Sequence, residues 1–166
     1  MASTLVTTVG SASANSYVTL GEAASYFADR VGGESWADVG DVQARALLTA
    51  CKRLDRLNWL GSRVDSTQRL AWPRYGVQKA DGTASTGYGI ADYYLTTEIP
   101  QQVKDAQCEL AFALMAGHTE GADKIKRWKA DDVEIEYDSS GASGSFPPEV
   151  DQLIGALIGG VRVVRG

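Results

Sequence analysis

The sequence predicts a mainly α-helical protein, a small helical bundle with a β-hairpin and extended N- and C-terminal arms. Three observations predict this class. Apolar residues recur at helical spacing over much of residues 19–118, strict alternation appears near residues 133–137, and β-branched residues are concentrated at both ends. The length of 166 residues suits a single domain, which we take as residues 1–166.

Residues 1–18 are predicted to form the N-terminal arm. Residues 4–9 are short and rich in β-branched side chains, and the stretch GSASANS follows them. This order favours an extended segment that ends in a turn.

The helical core is predicted to span residues 19–118. Thr19 and Glu22 have the spacing of a capping box, which places a first helix at about residues 20–30, before Gly32 and Gly33. A second helix begins after Asp38 or Asp41, either of which can cap it. Its apolar stripe comprises Val42, Ala46, Leu47, Ala50, Cys51, Leu54 and Leu57.

The opposite face of the second helix is basic. It carries Arg45, Lys52, Arg53 and Arg56, together with Asp55. Such a face is most often solvated, and contact with phosphate or with an acidic partner is the alternative.

A third helix is predicted from Pro100, a residue favoured in the first turn, to Gly117. Between the second and third helices lie the loop LAWPRYGV and the stretch QKADGTASTGYG. The content of glycine, serine, threonine and aspartate in the second stretch marks an exposed excursion.

Residues 124–138 are predicted to form a β-hairpin. Val133, Ile135 and Tyr137 alternate with Glu134 and Glu136, which is the period of a strand. An isolated hairpin is marginal in water, so we expect it to pack on the core or on a neighbouring subunit. The candidate contact residues are Trp128, Val133, Ile135 and Tyr137.

Residues 146–158 predict a short amphipathic helix, and residues 159–166 form a C-terminal tail. The tail ends in VRVVRG, which is basic and β-branched. An unpaired segment of this kind can add as a strand to another sheet, and a frayed terminus is the alternative. The candidate docking residues are Val161, Arg162, Val163, Val164 and Arg165.

The sequence contains few parts of a catalytic or metal site. It has one histidine, His118, and two cysteines, Cys51 and Cys108, which lie far apart in helical patterns and are expected to be small buried hydrophobes. Phosphate-binding glycine motifs are missing from the sequence. We therefore expect a protein that is not an enzyme and has neither a cofactor nor a metal ion.

Charge and hydropathy limit the partners. The chain has 16 basic and 21 acidic side chains, a net charge of −5, so its overall field repels nucleic acid and anionic membranes. No apolar run approaches the roughly 20 residues of a membrane span, and the first residues lack a signal-peptide pattern. We expect a protein made in the cytoplasm, with no membrane partner.

Six stretches, taken in order, resemble the head-tail connector adaptor proteins of tailed bacteriophages. They are ANSYVTLGEAASYFADR, ALLTACKRLDRLNWLG, LAWPRYGV, EIPQQVKDAQCELA, VEIEYD and VRVVRG. The combination of Trp-Pro-Arg with the later Ile-Pro helix start is the most specific part. Some relatives also carry the label of a DnaT-like single-stranded-DNA-binding protein, which is a competing function.

The resemblance implies a virion structural protein of the neck, assembled in the bacterial cytoplasm. Twelve copies would form a ring beneath the portal protein and offer their lower face to a lower neck or tail-completion protein. Double-stranded DNA would pass through the lumen without sequence-specific binding. The C-terminal tail would dock on the portal, and residues 4–9 and the hairpin would bridge subunits.

The loop LAWPRYGV could be a nucleic-acid platform, a protein-binding hot spot or a latch on the domain's own core. We predict that Trp72 and Tyr75 anchor it to the helical core or to an adjacent subunit, and that Arg74 binds a carboxylate or carbonyl group.

Two other functions remain open. Single-stranded-DNA binding would need aromatic and basic side chains on one exposed surface, and the candidates are Trp59, Arg63, Arg69, Trp72, Arg74 and Tyr75. The third possibility is a tail-completion or capsid-decorating protein.

Overall fold

The computed structural model describes residues 4–36, 41–79, 92–117 and 146–159. These residues contain four α-helices and a two-stranded antiparallel sheet. The helices are α1 (Leu20–Ala28), α2 (Asp41–Leu54), α3 (Gln101–Met115) and α4 (Pro148–Ile154), and the strands are β1 (Ser62–Arg63) and β2 (Arg74–Tyr75). Short 3₁₀ helices span Gly33–Trp36 and Gly155–Leu157. The prediction of a mainly α-helical fold with a small hairpin is confirmed.

The observed hairpin is in a different place from the predicted one. In it, Ser62 pairs with Tyr75, and Arg63 pairs with Arg74. Sequence periodicity could not find it, because two-residue strands are too short to show an alternation. The predicted hairpin at residues 124–138 lies outside the described residues.

Helix α1 begins at the predicted capping box. Thr19 Oγ1 accepts a hydrogen bond from Glu22 N at 3.1 Å, and Glu22 Oε2 accepts one from Thr19 N at 2.7 Å. The helix ends at Ala28, slightly before the predicted end. The chain then turns so tightly that a Cβ on Gly33 would lie 1.9 Å from the carbonyl oxygen of Phe27, which requires glycine at this position.

Helices α2, α3 and α4 form the packed core, with α3 in contact with both α2 and α4. The predicted stripe of α2 is buried from Ala46 to Leu54, whereas Val42 is exposed and Leu57 is half-buried. Pro100 is the N-cap residue of α3, directly before its first turn. Cys51 and Cys108 are buried and form no disulfide, as the sequence predicts.

The described part of the N-terminal arm is bound to its own domain. Asn15 Oδ1 accepts a hydrogen bond from Val6 N at 2.7 Å, and Asn15 N donates to Val6 O at 2.9 Å. Tyr17 and Val18 are almost fully buried. Ala14, Tyr17 and Val18 of this segment contribute side chains to the core.

Two buried polar side chains of α3 connect the elements. Gln107 Oε1 accepts from Tyr17 N at 2.9 Å, and its Nε2 donates to Ser16 Oγ at 2.7 Å and to Leu47 O at 3.0 Å. Glu109 accepts two hydrogen bonds from the guanidinium of Arg30, at 2.6 and 3.0 Å, and one from Tyr26 Oη at 2.8 Å. These contacts join α1, α2 and the N-terminal segment to α3.

Candidate functional site

Trp72 lies inside the domain. It is 1% exposed, and its ring meets the edges or faces of Trp59 and Tyr94 at centroid distances of 5.7 and 6.1 Å. A cis peptide bond joins it to Pro73. Because both faces of the loop at Leu70, Ala71 and Trp72 are buried, this tryptophan does not offer a stacking surface to a ligand.

The guanidinium of Arg74 closes the turn that precedes β1. It donates to the carbonyl oxygens of Trp59, Leu60, Gly61 and Ala71 at distances from 2.5 to 3.2 Å. Burial, followed by the nearby charge of Arg63, lowers the pKa of Arg74 from its ordinary value. All three nitrogens are used inside the loop, so this arginine is a structural clip in the described part of the chain.

Tyr75 is 67% exposed and does not anchor the loop to this chain's core. The prediction of a core anchor therefore fails at this residue. The reason is the alternation of β2, in which consecutive side chains point to opposite faces: Arg74 turns inward to the carbonyls, and Tyr75 turns to solvent. Contact between Tyr75 and another subunit stays a prediction.

A second backbone pairing follows β2 and carries two more exposed apolar side chains. Tyr94 N donates to Val77 O at 3.0 Å, and Lys79 N donates to Asp92 O at 2.8 Å. Val77 and Tyr94 are buried on one side of this ribbon, whereas Tyr93 and Leu95 are 50% and 65% exposed. Tyr75, Tyr93 and Leu95 form what we call the exposed ribbon set.

The chain leaves the described core through a fixed segment. Leu60 N donates to Leu157 O at 2.9 Å, and Gly159 N donates to Asn58 O at 2.8 Å. An isolated antiparallel bridge joins Trp59 and Ile158 between these bonds. Gly159, the last described residue, is thus held next to the turn that Arg74 closes.

The other predicted contact residues cannot be placed in this geometry. Trp128, Val133, Ile135 and Tyr137 lie outside the described residues, as do the tail residues Val161, Arg162, Val163, Val164 and Arg165. Their roles remain predictions.

Sequence reasoning missed several side chains that organise this region. Asp55, assigned to the polar face of α2, accepts hydrogen bonds from Tyr17 Oη at 2.9 Å and from Ala71 N. Gln68 is buried, and its Nε2 donates to the carbonyls of Leu70 and Pro73 at 2.8 and 3.1 Å. No sequence signal marks Asp55 or Gln68, because the backbone groups that they bind lie on irregular segments.

Burial also controls the ionisation of the interior. Burial is the main cause, and nearby carboxylates a smaller one, of the rise in the pKa of the Cys51 and Cys108 thiols to about 12. Burial and the neighbouring Asp55 raise the pKa of Tyr17 well above its usual value. These groups are neutral at physiological pH, which suits a packing role.

Among the described residues, no cluster of three or more histidine, cysteine or acidic side chains is arranged to hold a metal ion. Within the same ranges, no helix has both the length and the apolar character needed to cross a bilayer.

The fold and its exposed residues define a small, mainly α-helical domain with a clipped loop and an exposed apolar ribbon. The chain belongs to the family described as "Putative DnaT-like ssDNA binding protein", whose model matches residues 1–166. No curated protein and no solved structure matches the chain.

Proposed function

We propose that this protein is a head-tail connector adaptor, a structural protein of the tailed-bacteriophage neck. Copies of the chain assemble into a ring, twelve in the related adaptors, between the portal protein and a lower neck or tail protein. The ring lines the channel through which double-stranded DNA leaves the capsid. The proposal includes no catalytic step, cofactor or membrane partner.

The observation that carries this proposal is that the loop LAWPRYGV directs its main recognition side chains into its own domain. The two side chains of this loop best suited to bind a ligand are Trp72 and Arg74, and both make their contacts inside the domain. The exposed apolar side chains outside include the exposed ribbon set and Val31, which is 97% exposed. Exposed side chains of this kind are typical of protein interfaces, where tyrosine is enriched.

The position of Gly159, the last described residue, supports a docking role for the tail. Because Gly159 is hydrogen-bonded to Asn58 at 2.8 Å, residues 161–165 start from a fixed point on the domain. A tail that starts from a fixed point loses less entropy when it adds as a strand to a partner than a tail on a free linker.

Native mass spectrometry of the protein mixed with the portal ring from the same source tests the proposal. We expect one portal ring with twelve copies of the chain, and loss of this complex when residues 161–166 are removed. A control variant, Val64→Ser, removes exposed apolar surface outside the tail and outside the exposed ribbon set, and it should still bind the portal. A portal ring that stays bare at several salt concentrations would exclude the adaptor function.

Single-stranded-DNA binding is the second candidate function, and the family description favours it. Two exposed residues of the adjacent strands could serve it: Tyr75, and Arg63, which pairs with Arg74 and therefore lies on the other face of the ribbon from Tyr75. A single-strand platform combines basic groups with aromatic rings on which bases stack. The net charge of −5 opposes it.

Titration of a labelled oligonucleotide at low and moderate salt separates the two functions. A DNA-binding protein should bind at micromolar concentration, with affinity that falls steeply as salt rises. Tyr75→Ala and Arg63→Ala should then weaken binding, whereas a conservative change at the buried Trp72, Trp72→Phe, should not. Absence of binding at low salt removes this candidate.

A further inference from the structure

A basic cleft lies beside the C-terminal end of α2. Its volume is about 240 Å³, and three cationic side chains line it: Lys52, Arg56 and Arg69. All three residues are exposed, and within the described ranges none of them forms an ion pair with an acidic group. We call this group the basic cleft.

The one carboxylate that lines the basic cleft is already engaged on its inner side. Asp55 Oδ1 accepts hydrogen bonds from Tyr17 Oη and from Ala71 N. It therefore offsets only part of the positive charge of three cations. The site has excess positive charge although the chain has a net charge of −5. We therefore expect it to bind an anionic partner.

The most acidic short stretch of the same chain matches this site. Residues 131–138, DDVEIEYD, contain five acidic side chains and no basic one. Among them, Glu134 and Glu136 are two residues apart in the sequence. Lys52 lies in the last turn of α2, and Arg56 lies two residues beyond the end of this helix, so both cations stand at the same end of α2.

We propose that residues 131–138 of one copy of this chain bind the basic cleft of a second copy. Glu134 and Glu136 pair with Lys52 and Arg56, and Arg69 binds a third carboxylate of the segment. The contact is head-to-tail, so that each copy uses its cleft on one side and its acidic segment on the other. This inference rests on the proposed ring and names the contact that builds it.

Nucleic acid fits the basic cleft less well than an acidic peptide. The residues that line the cleft include no aromatic side chain in the described part of the chain. A single-strand site combines its basic groove with rings on which bases stack. The cleft has a volume of about 240 Å³, and the Asp55 carboxylate is part of its lining. We therefore expect it to bind a few carboxylates of a peptide better than a continuous strand of phosphates.

Two full-length charge-reversed variants test the contact. The cleft variant carries Lys52→Glu and Arg56→Glu, and the segment variant carries Glu134→Lys and Glu136→Lys. Each variant alone places like charges at the contact, whereas a mixture of the two restores opposite charges at every junction. A control with Arg45→Glu and Arg63→Glu makes the same change of charge at exposed positions outside the cleft.

Native mass spectrometry and light scattering follow assembly as concentration increases. We expect each variant alone to require at least tenfold higher concentration than the wild type for assembly. We expect the mixture to form oligomers that contain both variants, and the control to assemble like the wild type. Circular dichroism checks folding, and the milder Lys52→Gln and Arg56→Gln variant replaces the cleft variant if that one unfolds.

Several results would overturn the inference: a mixture that stays monomeric, single variants that assemble like the wild type, or a wild type that never self-associates. Cleft variants that assemble normally but lose oligonucleotide binding would assign the cleft to nucleic acid instead. The portal experiment is independent. If the single charge variants still form intact rings on the portal, the adaptor function is supported and the proposed contact is excluded. If the mixed variants form rings that do not bind the portal, the contact is supported and the adaptor function is excluded.

Discussion

The side chain of Arg74 illustrates how much one residue can determine in a loop without regular structure. Its donors reach four carbonyl groups of the segments that precede β1 and β2. The planar fork of a guanidinium can satisfy several acceptors at once, which an ammonium group cannot. The loop conformation thus requires an arginine at this position, because a positive charge alone does not satisfy the four carbonyls.

We therefore predict that Arg74→Lys lowers the free energy of unfolding by about 1–2 kcal/mol, because the partly buried carbonyls of Trp59 and Ala71 lose their donors. Arg63→Lys is the matched control: Arg63 pairs with Arg74 across the strands but is exposed, and the change should stay within about 0.5 kcal/mol. Urea unfolding followed by tryptophan fluorescence measures both. Equal effects of the two substitutions would contradict the clip.

The cysteines give a prediction for alkaline pH. Burial raises the pKa of each thiol to about 12, whereas a free thiol has a pKa of about 8.5. Between these values the unfolded chain loses thiol protons that the folded chain keeps, so the free energy of unfolding falls as pH rises. This contribution is fully present below the pKa of the free thiol.

The measurement compares the wild type with the Cys51→Ala and Cys108→Ala double variant in urea from pH 8 to pH 11. The wild type should lose more stability than the variant over this range. Alkylation by iodoacetamide at pH 8 should be slow in the folded protein and fast in urea. Rapid alkylation of the folded chain would show that the thiols are accessible.

At the scale of the element, the helices follow local sequence signals closely. The capping box of α1 and the proline before α3 were readable because each depends on residues within one turn. The small hairpin was not readable, because its strands are held by Arg74 and by Gly61. A Cβ on Gly61 would lie 2.3 Å from the carbonyl oxygen of Tyr75, a contact that only the folded loop creates.

Thr19→Ala should lower the free energy of unfolding by about 1 kcal/mol, because Glu22 N loses its acceptor at the start of α1. Thr49→Ala is a suitable control, since Thr49 is an exposed residue within α2 and caps no helix. We expect the control to change stability by less than about 0.5 kcal/mol. Thermal unfolding of the three proteins decides whether the cap matters.

At the scale of the whole molecule, Gln107 connects segments that are distant in sequence. Its amide binds Tyr17 N, Ser16 Oγ and Leu47 O, and the side chain is fully buried. The N-terminal segment is therefore part of the domain, although its first residues resemble a free arm in sequence. A bridging role between subunits for residues 4–9 would have to start from this bound conformation.

Gln107→Ala should lower the free energy of unfolding by about 2 kcal/mol, since it leaves the buried Tyr17 N without its acceptor and removes the second hydrogen bond of Leu47 O, a helical carbonyl of α2. Gln102→Ala, at an exposed position of the same helix, is the control and should have little effect. Hydrogen exchange at Tyr17 N should increase in the first variant only. Unchanged exchange there would argue against the connection.

The sequence by itself determined the helical class, the start of α1, the position of α3 and the burial of both cysteines. Helical periodicity, capping and proline act over a few residues, so they can be read along the chain. The tertiary structure alone decided that Trp72 faces inward, that Tyr75 faces outward, and that Lys52, Arg56 and Arg69 share a cleft. These outcomes depend on contacts between distant segments, and no local pattern records which segments will meet.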